Sequence, residues 1–455
     1  MPPGSEEGEG FGRLHRMTPV VHAIRLAGAV GAAAAFQLSQ RSDRTDTGRW
    51  VVGTVGVLAL VVLAREVVSW AVTRFRLETG ELRVDSGLVT RQSKRLRLDR
   101  IQSVDLLQPL AARLCGMAEL RVTTAGSERA AARLRYLALP AAEALRAEIL
   151  GRASGLGAGV AEAPERALLV VPARTLVASV LLGLANWRIV LLLIGPLSGL
   201  TAAAGGARGA AAAGIAFGSL LPVLFVMAHH VWRQVTGLWE FTVADSPDGL
   251  RLRYGLLATR SQTVPPGRVQ ALRLHQPLLW RPFGWVSVRM NVAGYVGSRE
   301  HVNTLLLPVA PRAVAQWLVG TALGGVDLES VPLTRPPRRA AWCAPIWWRA
   351  MATGSDDRVF VARHGLLSRT IVVVPHERTQ SVRIEAGPWQ RLWHLATVHL
   401  DSTRGPVRIR AAHRDEGEAR VILDVQADRA GRARRAAGPD RWMGPTPGQA
   451  RAGPG

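Results

Sequence analysis

The chain has 455 residues, of which 48% are hydrophobic and 5% aromatic, and its formal net charge is +23. This length allows several domains. Lys94 is the only lysine, so the positive charge is almost entirely arginine, which a GC-rich genome partly explains and which alone does not indicate a nucleic-acid ligand. Cys115 and Cys343 lie far apart. They exclude a disulfide framework and a cysteine metal site, as expected in a reducing compartment.

The N-terminal region predicts a pair of membrane spans. Residues 1–19 are first rich in Gly, Pro and Glu and then basic, and we expect them to be disordered. Two apolar runs follow, Val20–Leu38 and Trp50–Val72, joined by a short polar loop. A signal peptide is the alternative for the first run. Because a second run of about 20 residues follows, we favour a transmembrane helical hairpin over 20–73.

Residues 74–150 predict a small β-rich domain closed by a helix. Leu82 and Val84 alternate with polar residues, as half-buried strands do. A tight turn is expected at Gly87, where glycine supplies the positive φ that such turns need. Pro140 predicts a helix start, because proline fits the first turn of a helix. Several antiparallel strands followed by one helix predict a β-barrel or a split β-sandwich.

A second apolar region follows a Gly- and Ala-rich linker at 151–174. The region 175–233 contains the runs Ile189–Leu200 and Ala210–Met227. We predict a second transmembrane hairpin here, with Leu176–Ala185 as an interfacial first part. The β-rich pattern then returns at 234–325 and again at 355–427, which predicts two further domains.

These three domains share one sequence pattern. A Gly-Leu pair at Gly87, Gly255 or Gly365 is followed by an arginine after 13 residues and by a second arginine after 13 more. The residues at the repeated positions are Arg100, Gln102 and Arg113; Arg268, Gln270 and Arg281; and Arg378, Gln380 and Arg391. The copies begin 168 and then 110 residues apart. Because both internal spacings are kept in every copy, the chain contains three copies of one small domain.

The connector 326–354 between the second and third domains is basic and rich in tryptophan. Its arginines and tryptophans are Arg335, Arg338, Arg339 and Arg349 with Trp342, Trp347 and Trp348. Two interpretations stay open: the connector lies on an anionic membrane surface, or its tryptophans pack on the neighbouring domain. The tail 428–455 is rich in Arg, Gly and Pro and is predicted to be disordered.

The distribution of charge predicts the orientation in the membrane. The loops inside each predicted hairpin carry little net charge, whereas the segments outside the hairpins carry many arginines. Positive charge stays on the cytoplasmic side. We therefore predict a multi-pass protein of the cell membrane whose termini and three domains are cytoplasmic.

Two predicted hairpins interleaved with three such domains resemble the bacterial pleckstrin-homology-like (PH-like) membrane proteins of the YdbT and YdbS type. The resemblance covers nearly the whole chain. It implies a bent β-barrel closed by a C-terminal helix for each repeat. The expected fold class is thus an α+β membrane protein with three PH-like domains and two transmembrane helical hairpins. The third copy departs most, with Ala386-Gly387 in place of Gln-Pro and His394 in place of glycine.

The repeated arginines and glutamines are the candidate site residues, and they allow two interpretations. Their presence in all three copies favours a structural role, such as pairing with buried backbone groups. The alternative is a basic rim that contacts lipid phosphates, or a contact with a partner. The sequence contains no phosphate-binding glycine loop, no HExxH and no Cys/His cluster. We therefore expect no cofactor, no metal and no enzymatic activity.

These observations predict a binding or scaffold role at the membrane surface. The expected partners are the lipid bilayer, anionic lipid, and another membrane protein or a second copy of the chain, but not nucleic acid. The alternative is a component of a transport or export system whose four spans form a conduit.

Overall fold

The computed structural model describes part of the chain, which divides into two compact units. The described residues are 12–13, part of 53–72, 74–78, 81–86, 92–97, 101–124, 132–153, 166–184, 224–246, 249–264, 266–292, 304–403 and 405–436. Unit 1 comprises Met1–Pro164 with Leu257–Thr263, and unit 2 comprises Glu165–Leu256 with Val264–Gly455.

Unit 1 contains two antiparallel sheets. The strands of the first, in order, are β1 (Gly12–Arg13), β2 (Arg74–Glu78), β3 (Glu81–Ser86) and β4 (Gln92–Arg97). The second contains β5 (Ile101–Gln108), β6 (Met117–Thr124) and β7 (Ala132–Ala138), with the short helix α1 (Leu110–Leu114) after β5 and α2 (Leu139–Ala153) after β7. The apolar side chains of these strands alternate inward, so that Leu82, Val104 and Leu120 are buried.

The second sheet of unit 1 is extended by a strand of the second repeat. That strand is β11 (Thr259–Val264), and it pairs antiparallel with β5, Thr259 opposite Gln108 and Ser261 opposite Leu106. Arg146 of α2 also holds it, because Nη1 donates to Ser261 Oγ at 3.0 Å and Nη2 donates to Thr263 Oγ1. Arg146 is buried. The closing helix of the first repeat therefore binds a strand that the second repeat supplies.

Unit 2 contains the remaining strands and helices. In its first part, β8 (Arg166–Val170), β9 (Thr242–Ser246) and β10 (Gly249–Tyr254) pair antiparallel, and α3 (Ala173–Leu184) follows β8. Next come β12 (Val269–Gln276), β13 (Trp285–Val292), β14 (Leu305–Pro311) and α4 (Arg312–Ala322). The third repeat supplies β15 (Ala352–Ser355), β16 (Val359–His364), β17 (Arg369–Pro375), β18 (Ser381–Glu385), α5 (Pro388–Leu392), β19 (Leu395–Asp401), β20 (Ile409–Asp415) and α6 (Glu416–Ala436).

The largest sheet of unit 2 combines two repeats. Its strand order is β14-β13-β12-β17-β16-β15, so the half-sheet of the second repeat joins the half-sheet of the third through the β12–β17 pair. The sheet crosses the border between the predicted domains 234–325 and 355–427. A separate sheet, β18-β19-β20, completes the third repeat.

Two hydrophobic cores stabilise unit 2. The larger contains buried side chains of α3, β9, β10, β12 to β14 and α4, such as Val243, Leu252 and Val288. The other contains side chains of β16, β17, β19 and β20, such as Phe360, Val372 and Val398. Since alternate residues of a strand face opposite sides, the six-stranded sheet contributes to both cores.

The described residues correct the predicted fold class. They are mostly β-strand, arranged in several sheets, and none of the helices among them is long and apolar enough to cross a bilayer. The described part of helix α3, Ala173–Leu184, covers most of the predicted interfacial segment Leu176–Ala185. The prediction of two transmembrane hairpins is wrong for the described residues, and the runs Val20–Leu38 and Ile189–Leu200 lie outside them.

Candidate functional site

Six arginines surround one cavity of about 380 Å³ in unit 2. They are Arg281 after β12, Arg312 at the start of α4, Arg335 and Arg349 in the connector, Arg363 in β16 and Arg369 in β17. The other described residues that line the cavity are apolar or glycine, apart from Gln276. No acidic side chain is among these described lining residues. We refer to this feature as the arginine cavity.

Strand register places the floor of the arginine cavity on one face of the six-stranded sheet. Ile371 of β17 lies between Leu274 of β12 and Arg363 of β16. One row further along, Gln276 lies opposite Arg369. Because residues two apart on a strand share a face, these five side chains lie on one face of the sheet, where Arg363 and Arg369 are next to the apolar Leu274 and Ile371.

The turn between β16 and β17 closes one side of the cavity. Arg281 Nη2 donates a hydrogen bond to the carbonyl oxygen of Leu366 in this turn. Gly365 has φ +93°, and a Cβ at this position would clash with the carbonyl oxygen of Ser368. Glycine is therefore required here, since a side chain is disfavoured by both the backbone conformation and the lack of space.

We expect Gly365→Ala to lower the free energy of unfolding by about 1–3 kcal/mol, the usual cost of a strained backbone position. Urea unfolding of the full-length chain, followed by tryptophan fluorescence, measures this change. The matched control is Gly387→Ala in the same unit, where an added Cβ meets only Gln390 Oε1, at 3.8 Å. Equal effects of the two substitutions would contradict the assignment of strain to Gly365.

The guanidinium groups of the cavity repel one another. Burial and the neighbouring Arg335, Arg369 and Arg312 lower the pKa of Arg363 below its ordinary value. Burial and Arg369 likewise lower the pKa of Arg281. Arginine nevertheless stays protonated at neutral pH. The cavity is therefore a site of strong positive potential, and an anion bound there would offset the repulsion.

The described acidic residues compensate little of this charge. Arg312 Nη2 lies 3.9 Å from Glu329 Oε1, with both side chains largely exposed. Exposed pairs of this kind contribute about 0–1 kcal/mol. The guanidinium of Arg349 lies 5.5 Å from the ring centroid of Trp348, a cation–π contact that leaves its charge in place.

Exposed apolar side chains lie beside the arginine cavity. Leu366 and Leu367 at the tip of the β16–β17 turn are 42% and 56% exposed, and Phe283, two residues after Arg281, is 55% exposed. Large apolar side chains grouped at a surface mark contacts with a membrane or another protein. A basic cavity with an apolar rim is the combination that the interface of an anionic membrane accommodates.

Comparison with known proteins places the chain in a family. Three segments, 25–153, 166–322 and 305–430, match the family model described as "Bacterial PH domain". The chain belongs to the bacterial PH domain family. The resemblance predicted from the sequence is thereby confirmed.

One relative of this bacterial PH domain protein is the "UPF0699 transmembrane protein YdbT" of Bacillus subtilis (strain 168). The two are 22% identical over 316 residues, which is 63% of this chain and 63% of the relative. The chain thus matches less than two-thirds of the length of that relative. No solved structure matches the chain.

The repeated residues of the PH domains lie in different environments. Of the described members of that set, Arg281 lines the arginine cavity. Arg113 and Arg391 are exposed on the short helices α1 and α5, and Gln380 is exposed before β18. Gln270 is buried, and its Nε2 donates to the carbonyl oxygen of Arg268 at 3.5 Å.

Another member of the repeated set forms an ion pair, since Arg378 Nε lies 3.2 Å from Glu377 Oε1. Arg100 and the side chain of Gln102 lie outside the described residues. The lipid or partner contacts proposed for this set stay a prediction.

Repetition does not single out Arg363 and Arg369 of the cavity, because neither is kept in all three repeats. Arg363 corresponds to Arg253 in the second repeat and Asp85 in the first, and Arg369 corresponds to Thr259 and Arg91. The cavity is therefore a property of one place in the chain and not of the repeat unit. The alternation of Arg369 and Ile371 along one strand could have indicated a basic site on that strand. The sequence does not show which other segments of the chain pack over it.

The middle of the connector between the second and third PH domains packs on the third domain, as one of the two interpretations of its sequence expects, while its contact with an anionic membrane stays a prediction. Trp342 stacks on Trp393 of the third repeat, with ring centroids 5.1 Å apart and an interplanar angle of 4°. Trp389 Nε1 also donates to the carbonyl oxygen of Trp342 at 3.1 Å, and Arg339 forms an ion pair with Asp415. These contacts pack the middle of the connector on the third domain, while Arg335 and Arg349 near its two ends line the cavity.

Proposed function

We propose that this bacterial PH domain protein acts at the membrane surface by binding the phosphate of anionic phospholipids in the arginine cavity. The observation that carries the proposal is the convergence of six arginines on one cavity whose described lining has no acidic side chain. The planar guanidinium group donates paired hydrogen bonds that match phosphate oxygens. The name of the relative from Bacillus subtilis, a transmembrane protein, supports a location at the membrane.

The size and the rim of the cavity fit a lipid headgroup better than a large ligand. A volume of about 380 Å³ is near the lower limit of small-molecule sites. It accommodates a phosphate with its glycerol moiety, whereas acyl chains stay outside. The exposed side chains of Leu366, Leu367 and Phe283 lie where those chains and the bilayer interface would contact the protein.

The described lining supports binding and not catalysis. It supplies cations, aliphatic side chains and the amide of Gln276, but neither a nucleophile nor a general base. We therefore propose a recognition role, in which the protein is held at, or responds to, anionic membrane.

The test measures binding of short-chain lipids that stay monomeric in water, so that insertion of the protein into a bilayer does not interfere. Calorimetry would compare dihexanoyl phosphatidylglycerol with dihexanoyl phosphatidylcholine. We expect the anionic lipid to bind more tightly, and its affinity to fall as salt is raised. The double variant Arg363→Gln/Arg369→Gln should lose about 30-fold in affinity, since each charge-assisted hydrogen bond contributes about 1 kcal/mol at a solvent-open site.

Three controls decide the interpretation. Arg420→Gln removes an exposed arginine of α6 away from the cavity and should leave binding unchanged. Arg391→Gln tests the prediction that the repeated arginines contact lipid. Inorganic phosphate, added as a competitor, separates a site for a lipid headgroup from a site for free phosphate. Equal binding of both lipids, or full affinity in the double variant, would exclude the proposed function.

A further inference from the structure

The three repeats are joined by one rule of strand pairing. In unit 1 the strand β11 of the second repeat pairs with β5 of the first, and in unit 2 the strand β17 of the third repeat pairs with β12 of the second. The register is the same in both pairs. Thr259 lies opposite Gln108, and Arg369 lies opposite Gln276. Gln276 follows Gln108 by 168 residues, and Arg369 follows Thr259 by 110, which are the spacings of the repeats themselves.

Two described strands have no partner of this kind. They are β4, the strand type that pairs with the preceding repeat, and β18, the strand type that pairs with the following repeat. Among the described strands, β4 pairs only with β3, and β18 pairs only with β19. Within the described part of the chain, each of them therefore lies at an edge of its sheet, where one row of backbone N–H and C=O groups faces no other described strand.

The burial of β4 differs from that of its counterparts. In β11, Ser261 and Thr263 are buried. The corresponding residues of β4, 168 positions earlier, are Ser93 and Arg95, and both are exposed. The strand type that is covered in the second repeat is thus uncovered in the first.

The burial of β18 differs in the same way. Leu272 and Leu274 of β12 are 0% and 4% exposed. Their counterparts 110 residues later, Val382 and Ile384 of β18, are only half-buried. In position within the repeat, β4 corresponds to β11 and β17, and β18 corresponds to β5 and β12. Strands at these two positions pair with each other where neighbouring repeats meet.

We propose that β4 of one copy of this chain pairs with β18 of a second copy, in the register used twice within the chain. That register places Lys94 opposite Arg383 and Arg95 opposite Val382. The aliphatic part of Arg95 would then cover Val382. Glu385, a diagonal neighbour of Lys94 in this register, offsets the repulsion between Lys94 and Arg383, and Arg383 Nε already lies 3.1 Å from Asp401 Oδ2.

The contact joins two different surfaces of the chain, so it is heterologous. It leaves a free β4 on one copy and a free β18 on the other, and the assembly therefore grows head to tail until it closes into a ring or extends as a filament. Such an assembly would repeat the arginine cavity along one array, although the pairing does not depend on the function of that cavity.

Cross-linking between two differently tagged copies tests the pairing. Both copies carry Cys115→Ser and Cys343→Ser; one also carries Lys94→Cys and the other Arg383→Cys. Directly opposite residues of paired strands have Cβ atoms about 4.5–5.5 Å apart, so a short thiol-specific cross-linker should join the two tags in one product. A single chain with both cysteines should give a ladder of multimers.

The matched control replaces Arg383→Cys by Arg420→Cys, an exposed position on α6 outside the proposed contact. It should give less than a tenth of the cross-linked product. A second measurement is hydrogen exchange, in which the amides of 92–97 and 381–385 should become protected as the protein is concentrated.

The alternative is that the charges of β4 keep this sheet edge from pairing with another strand. The proposal would be overturned if the cross-linked product did not exceed the control, or if it formed only within one chain. Hydrogen exchange that does not depend on protein concentration would also overturn it.

Discussion

Arg414→Met should lower the free energy of unfolding by about 1–3 kcal/mol, because it removes the hydrogen bonds that a buried guanidinium donates to partly exposed acceptors. Arg414 of β20 is 1% exposed. Its Nη1 donates to the carbonyl oxygen of Thr334 at 3.1 Å, its Nη2 donates to Thr334 Oγ1 at 2.7 Å, and Nη2 also pairs with Glu418. Methionine keeps much of the volume but leaves the Thr334 acceptors and the Glu418 carboxylate without this donor.

Urea unfolding of the full-length chain, followed by tryptophan fluorescence, measures the effect. The matched control is Arg420→Met, because Arg420 also pairs with a glutamate four residues away but is 71% exposed. We expect less than about 1 kcal/mol from the control. Adding Glu418→Gln to Arg414→Met should recover part of the loss, since the uncompensated carboxylate is then removed. Equal losses in Arg414→Met and Arg420→Met would show that burial of Arg414 is not the cause.

Acidification should destabilise the protein through His275, with an effect of up to about 3 kcal/mol. Burial, together with Arg273, Arg289 and His364, lowers the pKa of His275 from 6.5 to about 4. Its Nδ1 lies 3.2 Å from Thr370 Oγ1. These groups belong to the four neighbouring strands β12, β13, β16 and β17, so a proton on His275 would be placed among cations in a poorly hydrated site.

The direction of the pH effect follows from the lowered pKa. Below pH 6.5 the unfolded chain binds a proton at His275 that the folded chain does not bind until the pH approaches 4. Stability is therefore complete above pH 6.5 and is lost as the pH falls towards 4. The interval corresponds to about 3 kcal/mol at 1.36 kcal/mol per pKa unit.

Comparison of two proteins across this interval isolates His275. Unfolding free energies of the parent and of His275→Gln would be measured at several values between pH 7 and 4. The variant should lose less stability on acidification, while His364, His376, His399 and His413, whose pKa values are also lowered, account for the slope that remains. Parallel pH profiles for the two proteins would refute the role of His275.

Much of the local structure was predictable because it depends on neighbouring residues. The turn at Gly365 has the positive φ that its place in the repeat required, and Gly255 shares it, with φ +112°. Helix α2 begins at Leu139, beside Pro140. By contrast, α6 continues to Ala436, beyond residue 428, where the composition predicted the start of a disordered tail. Glu416 and Glu418 in its first turn and Arg434 and Arg435 in its last suit the helix dipole, which composition does not reveal.

The prediction of transmembrane hairpins failed where hydrophobicity was used without tertiary contacts. The sequence pattern places Leu176 and Val180 in an apolar region next to a membrane. They are buried in the larger core of unit 2, where Ser179 donates to the carbonyl oxygen of Leu176 and Trp280 Nε1 donates to that of Ser179. A run of 10 to 14 apolar residues fits a core helix as well as an interfacial segment. Only the structure distinguishes the two.

The sequence by itself determined that the chain contains three copies of one domain, and that each copy consists of strands with alternating apolar and polar residues followed by a helix. Both features can be recognised because residue spacing and alternation are local properties of a chain. It also determined the family. Only the tertiary structure decided that neighbouring repeats share a sheet and that six arginines meet at one cavity. The reason is physical: alternation specifies which face of a strand is buried, but it does not specify which distant strand will pair with its edge. Gln276 and Arg369 are neighbours through a register that no local pattern contains.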